Sequence, residues 1–143
     1  MKLVDANVLL YATNAGAPQH AVCRAWLEDA VNGSEPIGFA WVVLLAFLRI
    51  ATKPQVFRSP LSPAAAFDRV RLWLSAPAAV IVHPGERHVE WLEGLLSTLG
   101  TAGNLTSDAH LAAIALEHGA AIVSCDSDFA RFSGITHLNP LRT

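Results

Sequence analysis

Short apolar runs alternate along this chain with stretches of helical periodicity, and few folds accommodate that alternation. LVDANVLLY opens as an apolar strand ending near Asp5. Ala79–Val82 and Ala120–Ser124 read as buried strands, and Ile135–Leu138 as another. The spacing of Val22, Ala25, Trp26 and Ala30 predicts a helix over 20–31. A very apolar helix over 41–52 stops before Pro54. Ser62-Pro63 starts a third helix, over 62–75. A fourth runs over 86–99 with Val89, Leu92, Leu95, Leu96 and Leu99 on one stripe. A fifth runs over 106–118, capped by Thr106 and stopped at Gly119. Strands separated by helices imply an α/β fold, a central and mainly parallel sheet flanked by helices on both faces. The 143 residues, 52% of them hydrophobic, suit one domain over 1–143 with its own core.

Composition removes several classes. Charged residues at 15% exclude a disordered chain. The two cysteines, Cys23 and Cys125, are far apart in sequence and lack CxxC spacing, which excludes a zinc ribbon or a thioredoxin motif and suits a reducing compartment. MKLVDANVLLYAT is apolar, but it is too short to span a bilayer and is interrupted by Asp5. It also lacks the layout of a secretory signal. The expectation is a soluble cytoplasmic protein with no membrane partner.

Ligands of parallel α/β sheets collect beyond the carboxyl ends of the strands. Asp5 lies at such an end, Asp126 at another, and Asp108 in the first turn of the helix feeding the AAIVSC strand. Each has a plain structural use: a strand-end acceptor, a helix-start residue, or, for Asp126 and Asp128 in CDSDF, a turn. Taken together they converge on one rim if the strands are neighbours. Clustered carboxylates raise one another's pKa, and a divalent cation removes the conflict. Oxygen ligands without a Cys or His cluster select Mg²⁺ or Mn²⁺ over zinc. Such a centre suits phosphodiester hydrolysis. An aspartyl phosphatase would want DxD after the first strand, where this chain has Asp5-Ala6-Asn7. A receiver domain would want an acidic pair and a late Lys, both missing.

With these residues assembled, the chain resembles PIN-domain nucleases, in particular the VapC toxins of bacterial toxin–antitoxin pairs. The matching pieces are VDANVLLYAT, WVVLLAFLRIATKP followed by VF and PLS, GNLTSDAHLAAIALEHGAAIVSCDSDFARF, and the closing NPL. They occur in family order over almost the whole length. The resemblance implies a PIN-like fold and a Mg²⁺-dependent endoribonuclease, neutralised by a small cognate antitoxin. By position, Asp5, Asp108 and Asp126 look like three of the family's four acidic site residues, and Asp128 like a further acid before Phe. Asn7 and Ser124 match polar positions that support the site. Arg49 matches a basic residue beside it.

One position departs from the family. Where the second predicted helix usually carries a glutamate, this chain has Ala46, and no acid lies between Glu35 and Asp68. Two readings stand open. The centre holds one metal through fewer ligands and more water, or the domain is a weakened module that binds RNA or antitoxin without efficient cleavage.

Charge and hydropathy point to partners. Net charge is −2, yet residues 49–71 hold Arg49, Lys53, Arg58, Arg69 and Arg71 against Asp68 alone. That segment is expected to hold RNA phosphates beside the acids, with Arg49, Lys53 and Arg58 nearest the site. The RNA itself, a tRNA or rRNA in families of this kind, leaves no short code in the protein. A mean hydropathy of +0.37 and three apolar helices predict a homodimer and a groove for an amphipathic antitoxin segment. The six histidines show no ligand spacing, and Trp26, Trp73 and Trp91 read as core or interface residues.

Overall fold

Residues 1–55 and 57–142 are described by the computed structural model; Val56, part of the VF element above, lies outside them. The strands are β1 (Lys2–Val4), β2 (Ile37–Ala40), β3 (Ala79–Val82), β4 (Ala121–Val123) and β5 (His137–Leu138). The helices are α1 (Ala6–Thr13), α2 (His20–Val31), α3 (Trp41–Ala51), α4 (Pro63–Leu74), α5 (His88–Leu99) and α6 (Thr106–His118). All strand pairings are parallel, in the order β3-β2-β1-β4-β5. β1 lies in the middle. The chain builds outward from it through β2 to β3, then returns to place β4 and β5 on the other side. The carboxyl ends of β1 and β4 therefore flank the point where strand order reverses, the position at which open α/β sheets bind ligands.

Local chemistry explains most of these boundaries. Asp5, extended at φ −88° and ψ 157°, ends β1 and caps α1 by accepting the Ala6 amide. Ser62 Oγ accepts the Ala65 amide and Pro63 opens α4, an N-cap followed by a pre-set first turn. Gly119, at φ +63°, closes α6 in the left-handed region where a Cβ would be strained. The core stacks Leu3, Val4, Phe39, Ile122 and Val123 of the sheet under buried helix residues. Trp73 of α4 meets Phe47 of α3 edge-on at 4.8 Å, tying these helices to the sheet. Truncating Phe47 to Ala at such a site costs about 3–5 kcal/mol.

The structure corrects four readings. α1 was not separated from the opening strand, because eight residues make about two turns and a short apolar run fits either period. β2 carries Gly38 and runs straight into α3 through extended Ala40, with no turn residue to mark it. Thr106 is the first helical residue and not a cap; its hydroxyl donates to Gly103 O, and a 3-10 turn over Gly103–Leu105 leads into α6. Val89 is 73% exposed, so the apolar stripe of α5 begins one turn later. Among the described residues no helix is long and apolar enough to cross a membrane.

Candidate active site

The site is built around a polar knot between the ends of β1 and β4. The Asp5 amide donates to Val123 O at 2.9 Å, which pins the end of β1 to β4. Asp5 Oδ1 accepts the Ala6 amide at 2.8 Å. Its Oδ2 accepts the Ser124 hydroxyl at 2.7 Å and Asn7 Nδ2 at 3.1 Å. Ser124 is wholly buried, so its hydroxyl must be satisfied within the protein. It is: Oγ also accepts Asn7 Nδ2 and the Asp126 amide, each at 3.0 Å. Asn7 Oδ1 in turn accepts the Cys125 amide at 3.0 Å. Asn7 and Ser124 thus hold the backbone of 124–126 against the carboxylate of Asp5.

Three further carboxylates gather beside that knot. Asp126 caps a 3-10 turn over Ser127–Arg131, and its Oδ1 accepts the Asp128 amide at 2.9 Å. Asp108 approaches from the first turn of α6. One oxygen from each of Asp108, Asp126 and Asp128 lies within 4.8 Å of the others. The structure brings these three together, and Asp5, most of its lone pairs already engaged, lines one cavity with Asp108. Asp128 thus joins Asp108 and Asp126, where the sequence suggested an additional acid.

The electrostatics follow from this crowding. Burial is the main cause that pushes Asp108 up from 3.8 to about 6; the charges of Asp5, Asp126 and Asp128 add to it. The helix N-terminus acts the other way, and it does not win. Burial also raises Asp5; the Ser124 and Ala6 hydrogen bonds offset part of that, Asp126 adds to it, and His137 lowers it. Among the described residues no Lys, Arg or His forms an ion pair with any of these four acids. A donor set of half-buried carboxylate oxygens, without a protein cation to balance them, fits a hard divalent ion.

Beside the acids opens a cavity of about 420 Å³, walled by Asp5, Asn7, Ala46, Arg49, Ser107 and Asp108 among others. Ala46 therefore faces the site, in the register the family pattern predicts for α3. Arg49 is exposed on the same wall. Lys53 and Arg58 lie exposed in the segment after α3. The basic segment does not stay together beyond this. Arg69 lines a separate groove between α1, α2 and α4. Arg71 pairs with Asp68 at 3.4 Å and lies over the Phe67 ring. The linear charge count missed this because α4 turns successive arginines to different sides. His110, two residues after Asp108, turns away to meet His88 at 2.8 Å.

Comparison with known proteins decides the family: the PIN domain model matches residues 2–135. The chain belongs to the PIN-domain family. Within it, the chain is 53% identical over 135 residues to Ribonuclease VapC37 of Mycobacterium tuberculosis, covering 94% of each. It is 46% identical over 142 residues to Ribonuclease VapC33 of the same species, covering 99% of each. This places it among the VapC ribonucleases of the family. Solved structures agree on the fold. VapBC2 from Rickettsia felis, bound to a promoter DNA fragment, gives a TM-score of 0.71 at 18% identity, covering 96% of this chain and 97% of that one. VapC20 of Mycobacterium tuberculosis, a sarcin–ricin loop cleaving toxin, gives 0.64 at 17%, covering 95% and 97%.

Two features of this PIN domain escaped the sequence. His137 Nε2 donates to Ser124 O at 2.9 Å and so braces the knot from β5. No spacing rule marks it, since strand pairing alone brings it there. Cys23 and Cys125, separated by most of the chain, have Sγ atoms 3.5 Å apart.

Proposed function

We propose that this VapC-type PIN domain is the toxin of a toxin–antitoxin pair, a Mg²⁺- or Mn²⁺-dependent endoribonuclease that cleaves structured RNA, tRNA or rRNA, in the cytoplasm. The observation that carries this reading is the trio of Asp108, Asp126 and Asp128, with Asp108 and Asp5 lining a cavity that Arg49 also lines. These three acids would hold the cation, while Asn7 and Ser124 fix the backbone that carries Asp126. When bound, the cation polarises a phosphoryl oxygen, lowers the pKa of a water and neutralises charge on the leaving oxygen. Asp5 lines the cavity with Asp108, its carboxylate held by Ser124, Asn7 and the Ala6 amide, and would join these acids in the ligand set. Arg49, with Lys53 and Arg58 further out, supplies the positive charge that lets a polyanion approach an acidic centre.

Surface features support the partners. A groove of about 410 Å³ between α1, α2 and α4, walled by Leu27, Val31, Leu72, Trp73 and Arg69, suits an amphipathic antitoxin segment. On α3, Trp41 is 42% and Leu45 59% exposed, and this apolar face supports a homodimer. Ala46 supports the second reading, a module that binds without efficient cleavage, because α3 brings no carboxylate to the cavity wall. Sequencing of RNA 5′ ends after induction of the wild type and of Asp5→Ala separates the two. New ends at discrete sites in the wild type alone establish cleavage. Identical end profiles leave the binding module.

A further inference from the structure

Cys23 and Cys125 are the chain's two cysteines, both free, and the fold sets their sulfurs 3.5 Å apart. They join unlike partners. Cys23 is fully buried in α2, inside a helix with its amide bonded to Gln19 O. Cys125 is partly exposed in the short connection between Ser124 and Asp126, its amide bonded to Asn7 Oδ1. We propose that the pair is a reversible thiol–disulfide site whose closure disturbs the acidic centre. A disulfide needs the sulfurs at about 2.0 Å, so the two sulfur atoms must approach by roughly 1.5 Å. Cys23 is held by a helix and the core. The movement falls on Cys125, and with it on the Asn7 contact and on Asp126. This regulatory consequence rests on the metal-centre reading above; the disulfide itself does not.

The chemistry is thiol–disulfide exchange with a small external disulfide as oxidant. The Cys125 sulfur, the exposed one, attacks the reagent, forms a mixed disulfide and expels one small thiolate. The Cys23 sulfur then attacks the Cys125 sulfur and expels the second. Two protein thiols are oxidised to one disulfide, the reagent is reduced to two thiols, and the two protons released pass to the leaving groups. The second step is intramolecular between sulfurs already in contact, which favours it strongly.

The test uses the purified full chain, incubated with oxidised glutathione or with dithiothreitol. Intact mass and peptide mapping read the disulfide. Amide hydrogen exchange at Cys125 and Asp128, without metal, reads the displacement. Mn²⁺ titration followed by paramagnetic resonance reads the centre. The expected result is loss of two hydrogens, a 23–125 linkage and faster exchange at the Cys125 amide. Mn²⁺ affinity is expected to fall about tenfold or more, as for lost supporting contacts at metal sites, and to recover with dithiothreitol. Cys125→Ser should be insensitive to the oxidant in all three readouts, and Cys23→Ala should stop at the glutathione adduct with no 23–125 linkage. A wild-type protein that stays reduced or stops at the glutathione adduct overturns the proposal. So does a linked protein with unchanged amide exchange and Mn²⁺ affinity. If the reduced protein itself binds no Mn²⁺, the metal-centre reading fails, while mass and amide exchange still decide the disulfide.

Discussion

Replacing Asp108 by Asn should stabilise the metal-free protein. The Asp108 carboxyl has its pKa raised from 3.8 to about 6, so the folded state holds that proton more tightly than the unfolded chain does. Stability from this group is fully present below about pH 4, falls as pH rises through about 6, and is absent above that. The span from 3.8 to about 6 corresponds to about 3 kcal/mol. Because the side chain is half-exposed, solvent screening reduces this to about 1–2 kcal/mol. For a domain of this size that is roughly 3–8 °C in Tm. The assay is thermal unfolding in EDTA, at about pH 7.5 and about pH 4. Asp108→Asn should melt higher than wild type at the first pH and level with it at the second. Saturating Mg²⁺ or Mn²⁺ should reverse the order, because the cation stabilises the folded wild type by about 2.7 kcal/mol at a hundred times its Kd. The amide is a poor substitute ligand. A metal-free Asp108→Asn protein that melts at or below wild type at the higher pH would refute the reasoning that burial and the neighbouring acids destabilise the Asp108 carboxylate.

Three other substitutions test separate parts of the site. Ala46→Glu should raise the Mg²⁺-dependent gain in Tm above that of wild type, because the added carboxylate faces the cavity shared with Asp5 and Asp108; a metal-independent loss of stability would remove Ala46 from the site. Ser124→Ala removes the buried hydroxyl that bonds Asp5, Asn7 and the Asp126 amide, and should cost about 1–3 kcal/mol in urea unfolding and weaken metal binding. Arg49→Gln should lower RNA affinity across sequences and reduce the salt slope by about 0.7, as measured by filter binding over a salt series, whereas Arg69→Gln, in the other groove, should leave the slope unchanged.

Much of this domain is legible in local sequence because local chemistry decides it. The helices over 20–31 and 62–75 emerge close to their predicted bounds, the first marked by apolar spacing and the second by its Ser-Pro start. The four acids were candidates because each follows a strand or opens a helix. α1 and β2 were lost where the signal is short: two turns of helix and four residues of strand carry too little period to separate from their neighbours. Sequence alone determined that the acids sit at strand ends and at a helix start. Only the tertiary structure decided that they meet, by pairing β1 with β4 and setting Asp108 of α6 beside them. Hydrogen bonds between residues more than a hundred positions apart then hold Asp5 to that rim, through Ser124 and Asn7. The same long-range pairing of β1 with β4 brings Cys125 beside Cys23, while Arg49 of α3 and Arg69 of α4 line separate cavities. Such contacts depend on how distant strands and helices are placed, and no periodicity within either segment encodes that.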